Sequence, residues 1–252
     1  MRARPGPAVP TKAEVDHHEV TGHTCYRCWC AECVQGRGRA KAHTTVDHSE
    51  DRIPVLSWDY GFLSNKNSGK ADQDDAQQDL DAENSGQSPV LCMRDRLSHS
   101  VFWYLLPKKG VSFDMYDNAA RLIVSDLDWL GYQRVTFRSD GEPALVALLD
   151  DISSRWKGEV LREHTAEGDH SSNGNAEGGV ALMKGHVRTQ KLSLERYLKT
   201  ELPEDHNLLT WLVRHAASCY RKFHVGADGF TLAERVLGRK SGGPVALFGE
   251  SV

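Results

Sequence analysis

No run of apolar residues in this chain approaches the roughly 20 that a membrane-spanning helix needs. The opening stretch, M-R-A-R-P-G-P-A-V-P, is basic and proline-rich rather than apolar, so no secretory signal is expected and the expectation is an intracellular protein, nuclear or cytoplasmic. A G-x-S-x-G elbow, a P-loop and a G-x-G-x-x-G turn are all missing, which sets aside serine-hydrolase, NTPase and dinucleotide chemistry. No internal repeat is visible. A global basic excess is missing too: the net charge is −4 and the pI about 6.3, which speaks against a uniformly basic nucleic-acid binder. The global figure hides an asymmetry. Residues 72–83 hold six acids and no base, whereas from Gly178 onward eleven Lys/Arg face seven Asp/Glu, a local balance of 11 − 7 = +4.

What is present begins with cysteine. Four of the six cysteines, Cys25, Cys28, Cys30 and Cys33, fall within nine residues. Without a secretion signal such a cluster points to metal rather than to disulfides. Zinc takes four nitrogen or sulfur ligands in a tetrahedron, commonly a C-x₂-C pair with a His pair. Cys30 and Cys33 are such a pair, and His18 and His23 form H-x₄-H. Cys25 and Cys28 form a second C-x₂-C, so a four-cysteine set, or a set including His17, stays open. Cys92 and Cys219 lie in apolar surroundings and read as ordinary buried thiols.

With 252 residues, 39% of them hydrophobic, the chain suits one core domain with additional segments. Residues 1–12 read as a disordered arm and 13–52 as the zinc-binding segment with a basic linker, in which Arg37, Arg39 and Lys41 are candidates for a DNA backbone. A core from 53 to 238 carries an acidic surface loop at 64–88, and 239–252 form a tail. The pattern predicts a strand over 53–63, a hairpin of two apolar runs turning around Arg94 to His99, and a helix from Asp114 to Leu130 stopped by Gly131. A strand over 133–139, a helix from Pro143 to Trp156 and a strand over 159–164 follow. A long helix is expected from about Ala176 to Leu202, then a helix over 208–223 and a short one near the end. That order predicts a mixed sheet with helices on its faces. Trp103, Tyr104 and Trp156 read as core aromatics, and His215 as a hydrogen-bonded core histidine.

Two acids stand at element ends, Asp140 after the strand V-T-F-R-S and Glu177 at the head of the long helix. Asp59 stands inside the apolar strand W-D-Y, where a carboxylate is costly unless paired or metal-bound. Three carboxylates from distant segments suit a divalent-metal site for phosphoryl chemistry. On the long helix, Glu177, Ala181, Lys184, Arg188 and Lys191 advance by four, three, four and three residues and share one face, so the acid continues into a basic stripe suited to DNA phosphates.

W-D-Y, S-D-G-E-P and S-N-G-N-A-E, in this order and on these elements, resemble the integrase catalytic core of retroviruses and LTR retrotransposons. The resemblance covers about Val55 to Gly238. It implies an RNase H-like fold, with a mixed five-stranded sheet flanked by helices, and a catalytic triad of Asp59, Asp140 and Glu177 holding Mg²⁺ or Mn²⁺. Its implied activity is DNA 3′-end processing and strand transfer, with DNA and further copies of the chain as partners. Lys184, Arg188, Lys191 and Asn173 become DNA-contact candidates. His18, His23, Cys30 and Cys33 resemble the HHCC zinc module that precedes such cores, with a shorter link from His23 to Cys30 and so a truncated helical hairpin expected. F-T-L-A-E looks like the G-x-T-P-x-E segment of these cores, with Leu232 in place of Pro. Gly178 and Gly179 directly follow Glu177, and two helical glycines each cost about 1 kcal/mol relative to Ala, so a loosened Glu177 is expected. A related nuclease or transposase, and a non-catalytic DNA-binding remnant of a mobile element, are the competing readings. No further C-terminal DNA-binding domain is expected.

Overall fold

Alternation along β1 (Val55–Phe62) sorts its residues onto two faces. Leu56, Trp58, Tyr60 and Phe62 point one way and are buried, while Ser57, Asp59 and Gly61 point the other. The computed structural model describes residues 9–37, 53–63, 87–164, 174–203, 206–240 and 248–249. β2 (Pro89–Asp95) and β3 (Val101–Leu105) form the expected hairpin, antiparallel to each other and, through β2, to β1. β4 (Arg134–Ser139) and β5 (Glu159–His164) run parallel to β1 on its other side. The strand order is β3-β2-β1-β4-β5. This mixed five-stranded sheet flanked by helices is the RNase H-like architecture expected from the sequence.

Each face of the sheet has its own core. On one, Trp58, Phe102, Met93 and Phe137 pack beneath α3 (Tyr116–Leu130) and α4 (Pro143–Arg155) through Ile123, Leu127, Leu148 and Leu149. On the other, Val90, Cys92, Val101 and Trp103 lie under α5 (Gly174–Leu198) and α6 (Leu208–Phe223). Trp103, Tyr104 and Trp156 are core aromatics, as expected, and Cys92 and Cys219 are buried thiols. Among the described residues no helix is long and apolar enough to cross a membrane.

Several boundaries differ from the expectation. Thr11 and Lys12 are not arm: Thr11 caps α1 (Lys12–Val20) in a reciprocal capping box with Glu14, and α2 (Ala31–Arg37) follows. The T-x-x-E pattern carries this signal in the sequence. α3 begins at Tyr116 rather than Asp114, because Met115 holds a left-handed backbone with φ 66°. α5 ends at Leu198, short of Leu202, because Lys199 turns left-handed with φ 55°. Thr231 and Glu234 form a second capping box on α7 (Leu232–Leu237), with Leu232 at the first helical position. That position accepts proline because its N–H needs no helical partner, which explains how Leu and Pro can exchange there. The expected linker beyond 37 and residues 64–86 of the acidic loop lie outside the described residues.

Candidate functional site

Asp59 occupies the middle of β1, on the face covered by α5. β1 and β4 pair in parallel with Ser57 beside Arg138, and continuing that register by two residues sets Asp59 abreast of Asp140, one residue past β4. The turn after Asp140 uses Gly141 at φ 79°, and the Asp140 carboxylate accepts from the backbone N–H of Glu142 at 3.1 Å. Glu177 lies in the first turn of α5. Asp140 and Glu177 are exposed and Asp59 is half-buried. Burial, followed by the charges of Asp140, Glu177 and Glu142, pushes the Asp59 carboxyl up to about 7, against the opposing effect of the Tyr60 N–H that it accepts at 2.8 Å. The three acids named from the sequence are therefore electrostatically coupled. They do not draw their oxygens together within one coordination shell as the His/Cys group below does. All three are hard oxygen donors, the type that divalent cations take, and burial with like charge holds Asp59 far above its ordinary range.

The glycine pair after Glu177 has a packing reason that the sequence reading did not supply. A Cβ on Gly179 would stand 2.8 Å from Cys92 Sγ, and one on Gly178 would stand 2.9 Å from Arg94 Nη1. The head of α5 thus lies directly on β2, and the contact offsets the weaker helix propensity. Five further residues shape this edge and were not singled out in the sequence. Asn175 donates to Ser57 Oγ and to the Arg94 carbonyl, and Arg94 donates to the Asn175 carbonyl. Lys109 Nζ pairs with Glu142 at 3.0 Å. Only Glu142, in the run S-D-G-E-P, offered a sequence signal, as an acid two residues from Asp140.

Of the N-terminal alternatives, one set of side chains is brought together among the described residues. His18, His23, Cys30 and Cys33 are buried, and one ligand atom from each lies within 4.8 Å of all the others. His23 Nδ1 is 3.0 Å from His18 Nε2 and 3.3 Å from Cys30 Sγ, and Cys33 Sγ is 3.3 Å from His18 Nε2. Tetrahedral coordination with bonds of about 2.0–2.3 Å separates ligand atoms by roughly 3.3–3.8 Å, so the group is slightly tight but of the right size. The two imidazoles stand edge to face, at 88° to each other. Cys25, Cys28 and His17 are exposed and stand apart from the group. α1 supplies His18, the turn after it supplies His23, and α2 opens beside Cys30 and carries Cys33. The expected helical hairpin is present in short form.

This segment packs against the second half of α5. Gln190 Nε2 donates to the Gly22 carbonyl at 2.9 Å, and Arg196 pairs with Glu19 and Glu32. Gly36 sits so near that a Cβ on it would lie 2.8 Å from the Thr189 backbone. The basic stripe is partly engaged here. Arg188 Nη1 donates to the Gly36 carbonyl at 3.4 Å, Lys191 pairs with Glu195 at 3.5 Å, and Lys184 is half-buried. Asn173 lies outside the described residues, as do Arg39 and Lys41. His215 is as expected, with Nε2 3.2 Å from Cys219 Sγ.

No family model matches the sequence, and no curated protein matches it either. Among solved structures, the chain is similar to the catalytic core domain of HTLV-2 integrase in complex with magnesium, in a trimeric form. That likeness has 12% identity and a TM-score of 0.45, and it covers 72% of this chain and 94% of the other.

Proposed function

We propose that this protein is a retrotransposon-type integrase, a polynucleotidyl transferase that processes DNA 3′ ends and joins them to target DNA. The observation that supports the reading is the charge coupling of Asp59, on β1, to Asp140, one residue past β4, and to Glu177, in the first turn of α5. The order of W-D-Y, S-D-G-E-P and N-G-N-A-E supports it independently.

Asp59 and Asp140 are assigned as ligands of a divalent cation, Mg²⁺ or Mn²⁺, with Glu177 completing the set. Bound cations would supply neutralisation of charge on the attacking and leaving oxygens of an in-line displacement. The chain's own part is to hold three carboxylates at fixed separations and to present a DNA 3′-hydroxyl or a water to the phosphodiester. Lys184 is the member of the basic stripe nearest Glu177 along the helix and is assigned to a DNA phosphate. Arg188, Lys191 and Asn173 remain proposed DNA contacts, the first two with the added work of holding α2 and α5. His18, His23, Cys30 and Cys33 are assigned to Zn²⁺ in a structural role, since all four positions of a tetrahedron are filled by protein ligands. A homo-oligomer acting on two DNA ends is part of the proposal.

The test is strand transfer with pre-processed DNA ends and Mg²⁺. Asp140→Asn should abolish joined product while leaving circular dichroism unchanged and the thermal midpoint no lower, since it removes a like charge beside Asp59. Full activity in that variant refutes the assignment. Nicking without joined product in the wild type assigns the protein to the nucleases of this fold, and DNA binding without cleavage assigns it to non-catalytic remnants.

A further inference from the structure

The glycine pair after Glu177 leaves the helix by itself a weak support for that carboxylate. A side chain two residues earlier supplies the support. Asn175 Nδ2 donates to Ser57 Oγ at 3.2 Å and to the Arg94 carbonyl at 3.5 Å. In return Arg94 Nη1 donates to the Asn175 carbonyl at 3.3 Å. Ser57 and Arg94 are themselves direct cross-strand partners in the β1–β2 ladder, and Ser57 precedes Asp59 by two residues on the same face of β1. A short path from Glu177 to Asp59 therefore runs through Asn175 and Ser57. The glycines complete the device, because side chains at 178 and 179 would meet Arg94 and Cys92. Arg94 can lie flat against the first turn of α5 only where those side chains are missing.

We infer that Asn175 is a positioning residue, which with Ser57 and Arg94 locks the head of α5 to β1 and so sets the distance from Glu177 to Asp59. It acts through Glu177 and touches neither substrate nor the reacting atoms. This inference rests on the carboxylate reading proposed above.

The experiment is a titration of the full-length, zinc-loaded chain with Mn²⁺, followed by the loss of the free-ion paramagnetic resonance signal, with thermal unfolding of each variant run alongside. Glu177→Gln and Asp59→Asn serve as references. Asn175→Ala and Ser57→Ala should each weaken Mn²⁺ binding by about 10-fold or more, the range seen when groups that orient metal ligands are removed. Strand transfer by these variants should need correspondingly more Mg²⁺ and should recover as Mg²⁺ is raised, a shift that a general loss of fold does not produce. If Asn175→Ala fails to fold, Ser57→Ala, which removes a single hydroxyl, carries the test. Wild-type Mn²⁺ affinity in both variants, in a protein where Glu177→Gln weakens it, overturns the positioning role and leaves the carboxylate site standing. Absence of Mn²⁺ binding in the wild type, or binding unaffected by Asp59→Asn and Glu177→Gln, overturns the carboxylate site and the positioning role with it.

Discussion

Replacing Asp59 by Asn should make the protein more stable at neutral pH, and the size of the effect follows from the site. Asp59 is raised from 3.8 to about 7 in the fold. Its ionised form is therefore the one that folding disfavours. Below about pH 4 the group is protonated in both folded and unfolded chains and contributes no difference. As pH rises from about 4 to 7 the unfolded chain releases this proton and the folded chain keeps it, so stability falls. Above about 7 the penalty is complete and flat. A shift of about three pH units at 1.36 kcal/mol each gives about 4 kcal/mol, and screening at a half-buried carboxyl reduces it to about 2–4 kcal/mol. In a chain of this size that is a midpoint difference of roughly 5–15 °C. The assay is thermal unfolding of wild type and Asp59→Asn without added divalent cation, from pH 5 to 8. The two should be close at the acid end and diverge as pH rises, with the variant higher. Subtracting one profile from the other cancels the histidines, which titrate in both. Added Mg²⁺ at pH 8 should raise the wild type, by about 2.7 kcal/mol at 100 times its dissociation constant, and leave the variant nearly unmoved. Parallel profiles, or a variant less stable than wild type at pH 8, would refute the claim that uncompensated burial and like charge dominate at this position.

Further expectations concern the N-terminal segment and the packing of α5. Elemental analysis should find about one zinc per chain in the wild type and none in Cys33→Ser, and the metal-free chain should show faster amide exchange across residues 186–196; a wild type without zinc removes the metal assignment. Gly61→Val should cost about 1–3 kcal/mol, read as a lower thermal midpoint, because a Cβ there stands 2.5 Å from Val180 Cγ1; an unchanged midpoint means α5 does not rest on β1. Tyr132→Phe should cost about 1 kcal/mol in chemical denaturation, since its hydroxyl donates to the buried Asp95 carboxylate at 2.7 Å while Leu97 N, Ser98 N and Ser98 Oγ still donate. A cost of several kcal/mol would show that those remaining donors cannot satisfy Asp95.

The sheet was legible because its signals are local. Alternation in V-L-S-W-D-Y-G-F and V-F-W-Y-L, the Gly131 stop and Pro143 at a helix start each depend on a few neighbouring residues, and β5 and α6 fall where the pattern placed them. The helix ends were less legible where a non-glycine residue turned left-handed, as at Met115 and Lys199, since no residue type announces that. α1 has one local signal, the T-x-x-E capping box at Thr11, in a stretch otherwise dominated by His and acidic residues. The choice among zinc ligand sets needed three dimensions, because spacing alone allows Cys25 and Cys28 as readily as His18 and His23. The glycine pair misled for a physical reason. Helix propensity describes an isolated helix, and the value of Gly179 lies in its contact with Cys92, a residue 87 positions away. Asn175 and Arg94 were invisible for the same reason, because their role exists only once β2 and α5 are side by side.

α5 has a consequence for measurement. Its 25 residues are bolted at both ends, at the head to β1 and β2 and near Gln190 to the turn that carries His23. Glu177 and Gln190 are 13 residues apart, which at about 1.5 Å per residue is roughly 20 Å. The helix is then a ruler between the carboxylate edge and the His/Cys group, graduated in residues. The number of residues between 37 and 53 does not enter that length. A single residue inserted between 181 and 189 would lengthen the ruler by only about 1.5 Å but turn one end against the other by about 100°. It would take Gln190 away from Gly22 or Glu177 away from Asp59, so the register of this one helix ties the two centres together.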